Sequence, residues 1–225
     1  MNDFQKNIVS SKNQNASDYF EFDKGEGIKV LYVGNSIAKH APSPKLNWFN
    51  NCGMAASSVE KDYIHLLQSK IKKIHPDAAF SILQVANYER EFYTRNPEDY
   101  YMAAKEFKPD LVIMFFGANV AKEYYTTENP PKTFEKAYED LRNFLVDGRD
   151  VFVMHSQGFF INPSLDSEKE NVAKKHHDAF VNLEEMRELS ETHGRFNHPS
   201  DYGMQVIADK FWDAIKDYVE NFKNK

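Results

Sequence analysis

The chain has 225 residues, 41% of them hydrophobic and 28% charged, which is material for one large packed domain and excludes a disordered or collagen-like protein. Its net charge of −6 suits solubility, and no concentrated basic face offers itself to a nucleic acid. No run approaches the roughly 18 apolar residues that cross a bilayer, so no membrane partner is expected. The opening residues are polar, and the single cysteine, Cys52, has no partner for an internal disulfide. The expected compartment is the cytoplasm, with a secreted chain stripped of its leader as the alternative.

Residues 1–26 read as a loosely held arm and 27–225 as a single domain. Ile28 to Gly34 is a β-branched apolar run stopping at glycine, as a buried parallel strand does. Ser57-x-x-Glu60 has the capping-box pattern, and Ile64, Leu67, Ile71 and Ile74 follow on one helical face. Ala79 to Val85 is a second strand, Asn96-Pro97-Glu98-Asp99 opens a helix ending before Pro109, and Leu111 to Phe116 is a third strand. Pro130-Pro131 opens a helix that Gly148 closes. Val151 to Met154 is a fourth strand, Ser167 to His177 a polar helix, and Ala179 to Leu183 a fifth strand. From about Ser200 a final helix carries Met204, Ile207, Phe211, Ile215, Tyr218 and Phe222 as one apolar stripe. Strands alternating with helices imply right-handed crossovers, hence a three-layer α/β/α sandwich with about five parallel strands. Chemistry in such sheets gathers at the carboxyl ends of the strands.

Three features fall at those ends: Gly34-Asn35-Ser36-Ile37 after the first strand, Gly53 before the first helix, and Gly117-Ala118-Asn119 after the third strand. His198-Pro199 precedes the last helix. Together they resemble the SGNH hydrolases, the GDSL-like esterase and lipase superfamily. The likeness spans Gly34 to His198, and its wording around His40-Ala41-Pro42 and Gly53 to Ser57 looks like a carbohydrate-associated branch. It implies a flavodoxin-like hydrolase domain with Ser36 as nucleophile and Gly53 and Asn119 as oxyanion donors. The family's last block is Asp-x-x-His, whereas here His198 is preceded at that distance by Arg195.

The residues themselves support acyl transfer. A serine hydroxyl needs a base to take its proton, and histidine, titrating near neutrality, suits that role. Backbone N–H groups of Ser36 and Gly53 with the Asn119 amide supply three donors to an oxyanion. With Arg195 unable to orient His198, either a backbone carbonyl does so in a Ser-His dyad, the reading ranked first, or a carboxylate from Asp201, Glu60, Asp62 or Glu89 takes that place. Glu60 is already used by the capping box, and Asp201 fits a first helical turn. Trp48 and Tyr88, the latter in an aromatic stretch from Asn87 to Tyr101, are candidates to face a sugar ring. His176-His177-Asp178 is better read as a solvated junction than as metal ligands. No metal or cofactor is expected. The expected substrate is a small-molecule or glycan ester. The rivals are a silent glycan- or protein-binding module and a lipase or thioesterase for longer acyl chains.

Overall fold

Strand residues that alternate between two apolar faces force a sheet to be covered on both sides, and the central strands here do so. In the computed structural model, which describes residues 18–121, 124 and 132–223, the chain runs in order through β1 (Tyr19–Asp23), β2 (Lys29–Gly34), α1 (Tyr63–Lys72), β3 (Ala79–Gln84) and α2 (Ala86–Glu91). It continues through α3 (Pro97–Tyr100), α4 (Met102–Glu106), β4 (Leu111–Phe115), α5 (Phe134–Val146), β5 (Phe152–Ser156), α6 (Pro163–His176), β6 (Ala179–Val181), α7 (Glu184–Arg187) and α8 (Asp201–Asn221). Val30 and Tyr32 of β2 pack with α1 and α8 on one face, through Leu67, Ile71, Phe211 and Ile215. Leu31 and Val33 face the other way, toward Ala104 of α4 and Tyr138 and Leu141 of α5. Those two cores make the three layers.

The sheet order is β1-β3-β2-β4-β5-β6. The five strands from β2 to β6 are mutually parallel, and β1 joins the edge antiparallel to β3. Taken alone, the parallel strands have the flavodoxin-like order, whose reversal point lies between β2 and β4 and opens a crevice at their carboxyl ends. Gly34 is in register with Phe115 there, so the loops bearing Ser36 and Asn119 leave the sheet side by side.

Several local expectations are corrected. Within the arm expected over 1–26, Tyr19–Asp23 is a sheet strand, with Phe20 and Phe22 in one core and Tyr19 in the other; residues 1–17 lie outside the described part. Ser57 and Glu60 form no capping box. A 3-10 turn at Val59–Lys61 precedes α1, whose cap is Asp62, accepting the His65 N–H at 2.8 Å. The helix expected from Asn96 breaks at Tyr101, which leaves helical geometry (φ −123°, ψ 22°) and is buried. The cap of α5 is Thr133, and Pro130-Pro131 lies outside the described residues. No helix among the described residues is long and apolar enough to cross a membrane.

Candidate active site

Gly34 ends β2 because the chain turns sharply there: a Cβ at this position would stand 2.5 Å from that of Ala38. The Asn35 side chain then accepts the Ile37 N–H at 3.1 Å, and its carbonyl accepts those of Ala38 and Lys39, each at 3.0 Å. This tight loop presents Ser36 to the cleft, with its hydroxyl 2.8 Å from His198 Nε2. On the far side of the imidazole, Nδ1–H donates to the Phe196 carbonyl at 2.9 Å. A carbonyl only accepts, so the proton sits on Nδ1 and the Nε2 lone pair faces the serine hydroxyl. The carbonyl is aimed by two consecutive left-handed residues, Phe196 (φ 59°) and Asn197 (φ 55°), an uncommon conformation of the kind that persists where the surroundings over-determine it.

Burial lowers the His198 pKa from its ordinary value near 6.5; the Phe196 carbonyl opposes that shift and the neighbouring His40 adds to it. The neutral, proton-accepting form therefore persists below the usual histidine range. For a reaction in which His198 is the base, kcat/KM should rise with pH along an acidic limb whose midpoint lies below 6.5. A pH–rate profile on a non-ionising ester checks this, and a midpoint above that value contradicts it.

None of the four carboxylates considered as a third acid is hydrogen-bonded to His198. Asp201 accepts from the Ser57 N–H and hydroxyl and pairs with Lys61 at 2.9 Å. Asp62, fully buried, accepts the N–H groups of Gly53 and His65 and the His65 ring. The exposed Glu60 is held to its own turn, where its backbone and Ser58 lower its pKa. Glu89 is fully buried and accepts three N–H groups: Asn35 Nδ2 at 2.9 Å, the Gly117 backbone and Asn119 Nδ2. Burial pushes its carboxyl above the usual range while those three bonds pull it back. Arg195, at the family's aspartate position, bonds the Asn47 carbonyl at 3.0 Å and lies on the Phe196 ring. The backbone thus occupies the place where a triad acid would stand.

The oxyanion donors are likewise only partly as expected. The Gly53 N–H donates to Asp62 Oδ2 at 3.1 Å, and Gly53 does not line the cleft. The cause is the buried cap: Asp62 has two oxygens to satisfy, and the helix uses one. Gly53 is glycine for closeness, since a Cβ would stand 2.5 Å from the Ile37 carbonyl oxygen. Asn119 does line the cleft beside Ser36 and His198. Its Oδ1 accepts from Arg90 Nη2 at 2.9 Å while its Nδ2 donates to Glu89.

The cleft has a volume of about 440 Å³, within the range of small-molecule sites. Its polar wall includes Asp18, Lys39, Gln84, Asn87 and Arg90, and Phe20, Leu46 and Met54 are its apolar part. Lys39 is almost wholly buried, its pKa brought down to about 8 by desolvation, and its ammonium lies 4.4 Å from the Phe20 ring centroid. Sequence reading passed over Phe20 and Asp18 because they belong to the supposed arm. Trp48 and Tyr88 are corrected: both are buried, the indole bonded to the His40 carbonyl at 3.2 Å and the phenol to the Ala137 carbonyl at 2.7 Å. Among the aromatics from Asn87 to Tyr101, Phe92 and Tyr101 are also core residues.

Behind Gly117 lies a buried charge cluster. Asp166 pairs with Lys169 at 3.0 Å and Arg187 at 2.7 Å and accepts the Gly158 N–H at 2.8 Å. Asp166→Asn leaves two buried cations short of a counter-charge, and the expected loss is about 3–5 kcal/mol, read as a lowered urea midpoint at unchanged slope. A change within 0.5 kcal/mol, typical of ordinary surface substitutions, contradicts this. His176 pairs with Glu139, and Asp178 with Arg142 and His155; no group of three or more His, Cys, Asp or Glu among the described residues is placed to hold a metal.

No family model and no curated protein matches the sequence. Solved structures do match. A protein from Bacteroides uniformis assigned as a GDSL-like lipase superposes with a TM-score of 0.55 at 14% identity, over 85% of this chain and 96% of that one. An acetyl xylan esterase gives 0.52 at 19% identity, over 84% and 100%. A family two carbohydrate esterase from Clostridium thermocellum, solved with cellohexaose, gives 0.57 at 15% identity, over 88% of this chain and 66% of that one. The fold is that of the SGNH hydrolases.

Proposed function

We propose that this protein is a serine esterase that removes a small acyl group, such as acetyl, from a carbohydrate or similarly polar substrate. The observation that carries the reading is the Ser36 hydroxyl 2.8 Å from His198 Nε2, with Nδ1–H on the Phe196 carbonyl. In this mechanism Nε2 takes the Ser36 proton as Oγ bonds the acyl carbon, and the carbonyl electron pair moves onto its oxygen. The Asn119 amide, with the Ser36 N–H, stabilises that oxyanion. Collapse expels the sugar oxygen, which takes the proton from Nε2, and water repeats the cycle to free the acid and Ser36. The imidazolium has a carbonyl dipole as its partner, consistent with a Ser-His dyad.

The polar wall of Asp18, Gln84, Asn87, Lys39 and Arg90 supports a polar substrate over a long acyl chain, and the carbohydrate esterases among the structural neighbours fit that choice. An acyl-length series on one sugar alcohol tests it. Acetyl and propionyl esters should be hydrolysed at least about tenfold faster than octanoyl, one order of magnitude being about 1.4 kcal/mol at the transition state. A preference for octanoyl contradicts the substrate class, and saccharide binding without turnover contradicts the enzyme reading.

A further inference from the structure

Asn119 is the only side chain assigned to the oxyanion, and a primary amide can rotate or flip to present its acceptor instead. Two consecutive residues of α2 bear on that choice. Arg90, which can only donate, holds Asn119 Oδ1 at 2.9 Å. Glu89, whose hydrogen bonds all come from N–H donors, takes one hydrogen of Asn119 Nδ2. A guanidinium at one end and a carboxylate at the other leave one orientation of the amide, with its second N–H unspent. The carboxylate is itself fixed, since it also accepts the Gly117 N–H and Asn35 Nδ2. Asn35 in turn accepts the N–H of Ile37, next to Ser36. One buried carboxylate therefore ties the nucleophile loop to the turn bearing Asn119.

We propose that Glu89 and Arg90 are a pair of positioning residues that grip the two ends of the Asn119 amide and keep its free N–H toward the oxyanion. The proposal rests on the esterase reading of the same site. A carboxylate lying far in sequence from the nucleophile and not touching His198 thus acts on the transition state through the Asn119 amide, while its bond from Asn35 holds the Ser36 loop.

The test is a double-mutant cycle on an acetylated substrate. Arg90→Met keeps the stem and removes the donor, and Glu89→Gln keeps the shape but turns an acceptor into a donor. Each single change should lower kcat about 10- to 100-fold, a part of what losing a whole oxyanion donor costs, with KM changed less than about twofold. In the Asn119→Ala background Arg90→Met should not lower kcat further, and Glu89→Gln should lower it only by what its hold on the Asn35 loop contributes. A raised KM with unchanged kcat overturns the proposal, because Arg90 would then be binding substrate directly. Losses that persist undiminished without Asn119 overturn it too. Arg90 is exposed, so its cycle decides the matter whether or not the buried Glu89→Gln variant folds. If the parent shows no hydrolysis that depends on Ser36, it is the esterase reading that fails. The grip is then still read from the Asn119 side-chain amide resonances by NMR, which should shift in Arg90→Met and stay fixed only if the grip is absent.

Discussion

Ser36→Ala is expected to reduce ester hydrolysis by about 10⁴-fold or more, and His198→Ala to reach a similar floor, with the double variant little worse than either. The reason is their geometry: the hydroxyl and Nε2 are hydrogen-bonded at 2.8 Å, and in the proposed mechanism either half without the other leaves only the oxyanion donors and substrate binding. Neither side chain supports the core, since Ser36 and His198 are only partly buried and line the cleft. Thermal midpoints should therefore move little. Steady-state rates with substrate-blank subtraction, together with melting curves, check both statements. More than a few per cent residual activity in Ser36→Ala removes the serine from the mechanism.

Asn119→Ala is expected to lower kcat by about 10²–10³ with a smaller change in KM. The effect should sit near the upper end of that range, because the Gly53 N–H that would have shared the work is bound to Asp62. Fewer donors make each one matter more. A KM effect with kcat unchanged would make Asn119 a substrate-binding group. Releasing Gly53 is not a remedy: Asp62 also caps α1 through the His65 N–H, and replacing it leaves the N–H groups of Gly53 and His65 unpaired at once.

The fold was legible because its signals are redundant. The strands Lys29–Gly34, Ala79–Gln84 and Leu111–Phe115 are largely apolar runs, buried but for Lys29 and Gln84, and a glycine or polar residue lies at or within two residues of each carboxyl end. The pairing of Ser36 with His198 followed from the same logic, since both lie on loops at the carboxyl edge. Tyr19–Asp23 was missed because an edge strand with Glu21 and Asp23 lacks a continuous apolar run. Which of two acids caps a helix depends on burial, and pattern alone favoured Ser57 and Glu60 over Asp62. Aromatic residues at Trp48 and Tyr88 carry no mark that distinguishes a sugar platform from a core ring with a satisfied polar tip. That a backbone carbonyl orients His198 was the reading ranked first once Arg195 stood at the aspartate position, but which carbonyl does so was beyond pattern. It depends on positive φ at Phe196 and Asn197, and a phenylalanine announces no such turn. Glu89 was noticed as a carboxylate but for the wrong task, because its three N–H donors come from residues 28 to 54 positions away.

The most direct measurement is peptide mapping by mass spectrometry after reaction with a fluorophosphonate, which traps an activated serine. The account predicts a single stoichiometric adduct on the peptide containing Ser36, formed with an acidic limb matching the pH–rate profile and suppressed in His198→Ala. No adduct at Ser36, or labelling at the same rate without His198, would contradict it.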